Sequence, residues 1–307
     1  MNVASTGAPV IVLGMHRSGT SATSNVLNRM GSWLGSAASV TRRFEHAAVQ
    51  ETNELILRAF GGWWHTPPDL AEGWTTDARL RELDPPARTA IADLEGHAVF
   101  SWKDPRTCFT LAWWERHLHR TPVVVYVYRH PAEVAASLAA RNDFGPAHAL
   151  MMWEAYNGAA LRAAAGHRVI TMPYSQLVDA PADTAAVLHD ALTAWGLPLS
   201  ADPESATGEV TAERRHHHAP PDLDPEIATP GQIRLWSRLQ DLPRVSDAFL
   251  PPTIDPMHRA TAELLDGRRH ALRQREDVVV RDQLLRSRRA LVRLLLHPDE
   301  ARRLGSS

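Results

Sequence analysis

Cysteine is almost absent from this chain, and so are long apolar runs and an excess of charge of either sign. Cys108 is the single cysteine among 307 residues, which excludes an intrachain disulfide and is typical of proteins from a reducing compartment. No apolar run approaches the roughly 18 residues that a membrane-spanning helix needs. A formal net charge of −2 argues against general nucleic-acid binding, because such proteins neutralise phosphate with a basic excess.

The first residues also lack the basic and apolar regions of a secretory signal peptide. We therefore expect a cytoplasmic protein with no integral membrane segment and no nucleic-acid partner. A hydrophobic fraction of 44% and a charged fraction of 22% are ordinary for a globular protein. The length suffices for one large domain or two smaller ones.

The most informative segment that is present joins a predicted strand to a predicted helix. An apolar run over residues 9–13 leads into a loop that begins at Gly14 and ends at Gly19, and a helix follows. This arrangement points backbone N–H groups at a phosphate. The glycine spacing matches a nucleotide-binding P-loop, but Thr20 stands where an ATPase or kinase has lysine. The predicted phosphate-binding residues are Arg17, Ser18, Gly19, Thr20 and Ser21.

A second segment predicts a separate phosphate site. The β-branched run 123–128 is typical of a buried parallel strand, and Arg129 follows it at the end where open α/β sheets bind ligands. Pro131 is well placed to begin a helix, on which Ser137 and Arg141 share a face. A guanidinium and a hydroxyl at this position favour binding of a phosphate group.

Strands and helices alternate along the first two-thirds of the chain, which predicts an α/β protein with a parallel sheet flanked by helices. The predicted strands are 9–13, 98–101, 122–128 and 167–172. The predicted helices are 20–31, 46–60, 78–95, 107–118, 131–141, 146–165 and 181–195.

Residues 198–230 carry six prolines in a polar stretch and are interpreted as a loop or linker. From Gln232 onward the pattern is helical again, and beyond residue 256 it is rich in arginine. We therefore predict a core over residues 1–220 and a helical C-terminal extension over 221–307. The helices of this extension either pack on the core or form the interface of a homodimer, and the oligomeric state stays open at this point.

With these segments in view, the chain resembles the sulfotransferases that use 3′-phosphoadenosine 5′-phosphosulfate (PAPS), in particular bacterial ones with a G-M-H-R-S-G-T-S loop. The segment Gly14–Ser21 is similar to their 5′-phosphosulfate loop, and Arg129 with Ser137 is similar to their 3′-phosphate motif. Trp102–Arg106 resembles their K-D-P segment, and Tyr174–Leu177 resembles their Y-x-x-L segment. The resemblance implies the sulfotransferase fold, PAPS as donor and 3′-phosphoadenosine 5′-phosphate (PAP) as product.

The resemblance also implies roles for individual residues. Lys103 matches a lysine that stabilises charge at the sulfuryl group, and Tyr174 matches a tyrosine near the nucleotide. Glu45 matches the position of the general base, while His46 is a rival because an unperturbed imidazole already titrates near neutral pH. The basic segment 214–218 is either close to the nucleotide or a solvated loop, and we predict no metal site there.

The acceptor is expected to be a hydroxyl of a glycan, a glycolipid or a small secondary metabolite. Trp63 and Trp64 either stack on this acceptor or pack beneath a lid. Two other functions stay open at this point. One is a P-loop kinase or NTPase, against which Thr20 argues, and the other is a non-catalytic sulfotransferase-like protein that binds a nucleotide or a partner.

Overall fold

The structure, a computed structural model, describes residues 8–200, 202–208 and 223–274, and its centre is a five-stranded sheet. The strand order is β2-β1-β3-β4-β5, in which the first four strands are parallel and β5 is antiparallel to β4. The strands are β1 Val10–Leu13, β2 Ser101–Lys103, β3 Val123–Tyr128, β4 Arg168–Pro173 and β5 Val245–Ser246.

Helices cover both faces of this sheet. Their bounds are α1 Thr20–Arg29, α2 Ala47–Ala59, α3 Asp84–Glu95, α4 Thr107–Trp114, α5 Pro131–Asn142, α6 Pro146–Ala164, α7 Tyr174–Asp179, α8 Pro181–Ala194, α9 Pro230–Gln240 and α10, described over residues 259–274. The predicted α/β architecture, a P-loop-like parallel sheet flanked by helices, is confirmed.

The sheet is buried on both sides because its strands contribute apolar side chains to two separate cores. All six residues of β3 are buried, and successive residues alternate between the two clusters. Val125 packs with α1 and α8 on one face, while Tyr126 packs with α4 and α6 on the other. A strand buried on both faces explains the continuous β-branched run that the sequence shows there.

The strand predicted at 98–101 lies further along the chain, as β2 Ser101–Lys103. Apolarity alone placed it too early, because two of its three residues are polar and nevertheless buried. The Ser101 hydroxyl accepts a hydrogen bond from Ser32 at 2.8 Å, and the Lys103 ammonium has a carboxylate partner. Buried polar groups are tolerated when such partners come from elsewhere in the chain.

Other differences from the predicted elements are local. The segment predicted as one helix over 78–95 begins as a 3₁₀ helix, Ala78–Leu83, and becomes α3 only where two prolines occupy its first turn. The short helix α7 and the edge strand β5 were not predicted. Six and two residues are too few to carry a periodic apolar pattern.

The described C-terminal residues pack on the same core as the sheet. The cluster that contains Tyr126 also includes Leu235 and Leu239 of α9, Leu265 of α10, and Phe249 from the segment between β5 and α10. The predicted boundary at residue 220 stays a prediction, as does the linker 198–230, of which 209–222 lie outside the described residues. Within the part of the chain that is described, no helix has the length and apolarity to cross a bilayer.

Candidate active site

The predicted site residues lie at one end of the sheet, where four neighbouring parallel strands have their carboxyl ends. Register pairs Lys103 at the end of β2 with Val12, and Leu13 at the end of β1 with Tyr126 of β3. The chain runs from β1 to β2 on one side and then to β3 on the other, so the strand order reverses at β1. Open α/β sheets bind ligands at such a reversal, outside the carboxyl ends of the strands.

The loop between β1 and α1 has a backbone that requires its two glycines. Gly14 has φ 151° and Gly19 has φ 94°, values that side-chain-bearing residues rarely adopt. A Cβ on Gly14 would lie 2.3 Å from the Val127 carbonyl oxygen, and a Cβ on Gly19 would lie 2.2 Å from the Tyr174 ring. The loop is therefore fitted closely against β3 and α7, with α1 beginning directly behind it.

Ser18 provides a polar group that has no partner within the described residues. Its side chain is fully buried, and the hydroxyl makes no hydrogen bond there. Thr20 is buried and Ser21 is partly exposed in the first turn of α1. An unsatisfied buried hydroxyl in a loop of this shape fits an anionic ligand that would accept its hydrogen bond.

Arg17 and Ser137, which the sequence assigned to two different phosphates, are in direct contact. The Arg17 Nε donates to the Ser137 hydroxyl at 2.7 Å, while the Arg17 side chain remains exposed. Burial of its inner part lowers the pKa of Arg17, and the nearby charges of Arg141 and Arg129 lower it further. The two predicted phosphate sites are thus adjacent parts of one positively charged mouth.

Arg129 directly follows β3, and its side chain is buried and hydrogen-bonded. Its Nε donates to the Glu133 carboxylate at 2.7 Å, and its Nη1 donates to the Arg17 carbonyl at 3.1 Å. The guanidinium carbon lies 4.3 Å from the centre of the Tyr174 ring, within cation–π range. Arg129 therefore joins the phosphate loop, α5 and the start of α7.

The predicted base and the predicted lysine form an ion pair. The Lys103 Nζ donates to Glu45 Oε1 at 2.7 Å, with 2% and 7% of the two side chains exposed. Burial lowers the pKa of Lys103, and the Glu45 carboxylate opposes that change. Glu45 reaches this position from a tight turn before α2, in which its carbonyl accepts a hydrogen bond from the Thr41 N–H at 2.8 Å.

His46 lies apart from this pair. Its Nε2 faces Asp93 on α3 at 3.5 Å, and its side chain is almost fully buried. Burial lowers the pKa of His46, partly opposed by Asp93. The structure therefore brings Glu45 and not His46 into contact with Lys103, while the identity of the base stays a prediction.

His16 occupies the mouth between these cations. Burial places the pKa of His16 well below its ordinary range, and the charges of Arg106 and Lys103 lower it further. Arg106 is itself paired with the buried Asp104, whose two oxygens accept from Arg106 Nη1 at 3.0 and 3.1 Å. Asp104 therefore holds a neighbouring arginine and does not pair with Lys103.

An aromatic wall borders His16 on its other side. The Trp64 ring lies 4.9 Å from the His16 ring and 5.7 Å from that of Phe144. The Tyr156 hydroxyl donates to the Trp64 carbonyl at 2.6 Å and contacts His16 Nε2 at 3.3 Å. Of the two predicted tryptophans, Trp64 thus lies beside the phosphate loop, whereas Trp63 packs near Arg58 on α2.

Sequence reasoning missed two supporting contacts. Glu133 pairs with Arg129 at an i,i+4 spacing, a signal that was present in the sequence. Cys108 accepts a hydrogen bond from the Gly14 N–H at 3.3 Å, and burial raises the pKa of its thiol to about 12. No sequence pattern indicates this contact, because it depends on α4 packing behind the loop.

Some predicted segments cannot be compared with the structure, which describes only part of the chain. The basic segment 214–218 and the arginine-rich residues 275–307 lie outside it. Among residues 8–200, 202–208 and 223–274, no cluster of three or more histidine, cysteine, aspartate or glutamate side chains has a metal-binding arrangement.

Comparisons with known proteins give only distant similarity. No family model matches the chain, and no curated protein matches it. One similar solved structure is the sulfotransferase domain from the Synechococcus PCC 7002 olefin synthase, at 15% identity and TM-score 0.41, covering 85% of this chain and 94% of that one. Another is the sulfotransferase domain from the curacin biosynthetic pathway, at 15% identity and TM-score 0.40, covering 85% and 98%.

Proposed function

We propose that this protein is a sulfotransferase that moves a sulfuryl group from PAPS to a hydroxyl of a glycan, a glycolipid or a small secondary metabolite. The observation that carries the proposal is the buried Glu45–Lys103 pair, 2.7 Å apart, at the end of the strand beside the phosphate loop. A base and a cation at that place suit transfer of a charged group to a hydroxyl.

The residues of the loop fit a donor with a 5′-phosphosulfate. Gly14 and Gly19 let the loop pack closely against β3 and α7, and the buried Ser18 hydroxyl lacks a partner among the described residues. Thr20 replaces the lysine that reaches the β,γ-phosphates of a nucleoside triphosphate, so the loop is better suited to one phosphate group and its substituent. Arg17 adds positive charge on the exposed side.

Each residue then has a distinct task. Glu45 accepts the proton of the acceptor hydroxyl, a contribution of about 10²–10⁴-fold when the base is well positioned. Lys103 orients that carboxylate and offsets negative charge as transfer proceeds. Arg129 and Ser137 bind the 3′-phosphate, and Tyr174 lies near the nucleotide. The donor, when bound, supplies the sulfuryl group whose bond to the 5′-phosphate breaks as the acceptor oxygen attacks.

The kinase alternative has less support. Asp104 follows β2 directly, where a Mg²⁺-binding aspartate would stand, but Arg106 occupies both of its oxygens. The non-catalytic alternative leaves the Glu45–Lys103 pair without a task, although the pair costs desolvation to bury.

Transfer of label from ³⁵S-PAPS to separate glycan, glycolipid and small-metabolite fractions tests the proposal. We expect label in one fraction with matching release of PAP, and inhibition by added PAP. Label in none of the fractions, together with phosphate transfer from γ-³²P-ATP, would establish the kinase alternative.

A further inference from the structure

The charge at the predicted 3′-phosphate site is distributed unevenly between two arginines. Arg129 is the residue that the motif assigns to this phosphate, but its Nε is held by Glu133 at 2.7 Å. The two side chains are 8% and 2% exposed. Its Nη1 also donates to the Arg17 carbonyl. Arg129 therefore brings directed N–H groups, and Glu133 offsets part of its positive charge.

Arg141 differs on each of these points. It follows Ser137 by four residues on α5, so the two side chains leave the same face of the helix. It is exposed, and no carboxylate lies within salt-bridge distance of it in the described parts of the chain. Ser137 is bonded to Arg17, which places Arg141 one helical turn from the loop.

The field of Arg141 reaches that loop. After burial, Arg141 is the largest cause that lowers the pKa of Arg17, ahead of Arg129, and it also lowers the pKa of His16. Both residues lie at the mouth where the ligand is expected to bind. The mouth therefore carries repulsion between cations, which an anionic ligand would relieve.

We infer that Arg141 is a further binding residue for the 3′-phosphate and supplies the positive charge that Glu133 removes from Arg129. The inference rests on the proposed function. A phosphate monoester carries a charge of about −1.5 to −2 at neutral pH, which the partly offset charge of Arg129 and the Ser137 hydroxyl do not balance. Arg129 and Ser137 then orient the group, while Arg141 gives preference for a nucleotide that bears it.

Calorimetric titration with PAP and with adenosine 5′-phosphate, which lacks the 3′-phosphate, tests this division of tasks. We expect Arg141→Ala to weaken PAP binding by about 10- to 100-fold and adenosine 5′-phosphate binding by less than about 3-fold. Arg141→Lys keeps the charge and should recover part of the loss. The matched control is Arg120→Ala. Arg120 is exposed and precedes the amino end of β3, at the end of the sheet opposite to the site.

The outcomes separate this inference from the function on which it rests. Wild-type protein that binds neither nucleotide would overturn the proposed function itself. Wild-type protein that prefers PAP, with an unchanged preference in Arg141→Ala, would overturn only the role of Arg141. An equal loss for both nucleotides would also contradict it, because the residue would then act on the loop as a whole.

Discussion

At the scale of single residues, the site contains both cations that are paired with a carboxylate and cations that are not. Glu45 with Lys103 and Glu133 with Arg129 are close, buried pairs, whereas Arg17 and Arg141 have no acidic partner among the described residues. Removing one member of a buried ion pair lowers the free energy of unfolding strongly, whereas removing an exposed arginine lowers it little. The paired residues therefore fix the arrangement of the site, and the cations without an acidic partner are suited to bind an anionic ligand.

Replacing Glu45 by glutamine tests its role as the base. Glu45→Gln keeps an oxygen for Lys103 but cannot take a proton, so we expect turnover to fall by about 10²–10⁴-fold while PAP affinity changes by less than about 3-fold. Steady-state kinetics and calorimetry give the two numbers. The matched control is Glu51→Gln, an exposed residue of α2, which should keep wild-type turnover. Wild-type turnover in Glu45→Gln would instead return His46 as the candidate.

At the scale of elements, the loop between β1 and α1 is shaped by its contact with α7. Gly19 has a left-handed backbone and faces the Tyr174 ring, which a longer side chain would displace. The sequence predicted the loop because its glycine spacing is local information. It did not predict α7, whose six residues are set by their packing and not by a repeating pattern.

Gly19→Ala should damage the loop and the nucleotide site together. We expect a loss of about 1–3 kcal/mol in the free energy of unfolding, because the backbone at φ 94° is strained for alanine and its Cβ meets Tyr174. PAP affinity should fall by about 10-fold or more. Gly96→Ala is the control, since a Cβ there meets its nearest atoms at 3.9 Å. Urea unfolding and calorimetry that give the same values for both variants would contradict this account.

Two histidines should give the unfolding free energy opposite dependences on pH. Burial lowers the pKa of His148 to about 4, so the folded state keeps it neutral while the unfolded chain gains a proton below about 6.5. Stability from this source falls as pH drops from about 6.5 toward 4. A hydrogen bond to Glu115 raises the pKa of His167. The stability that protonated His167 contributes is therefore fully present below about pH 6.5 and is lost as pH rises through the raised pKa.

Urea unfolding between pH 4 and 8 checks both signs. His148→Gln keeps an N–H donor for the His65 carbonyl and should reduce the loss of stability on the acidic side. His167→Gln should lose stability mainly at acidic pH. Curves that stay parallel to that of the wild-type protein would show that neither histidine titrates as described.

At the scale of the whole molecule, one core joins the sheet to the described C-terminal residues. The sequence predicted the α/β core well because its long buried strands are continuous apolar runs that alternate with helical segments. It separated residues 221–307 by composition, and composition does not report that Phe249 exchanges backbone hydrogen bonds with residues 166 and 167 at 2.8 Å. Contacts between distant segments, such as Cys108 with Gly14, are invisible for the same reason.

Phe249→Ala measures how far this C-terminal packing stabilises the fold. The ring is fully buried in the core that contains Tyr126, so we expect a loss of about 3–5 kcal/mol in the free energy of unfolding. The adjacent Leu250 is 85% exposed, and Leu250→Ala should change stability by less than about 0.5 kcal/mol. Equal, small effects in urea unfolding would show that residues 223–274 contribute little to the core.

Calorimetric titration with PAP in the presence of a metal chelator, compared with titration with Mg-ATP, distinguishes a PAPS-dependent enzyme from a nucleoside triphosphatase or kinase. We expect micromolar binding of PAP without metal and little binding of ATP, because the loop lacks the P-loop lysine and because we propose that Arg129, Ser137 and Arg141 bind a 3′-phosphate. Binding of Mg-ATP without PAP would contradict the account and favour a kinase. Binding of neither nucleotide would also contradict the proposed sulfotransferase function.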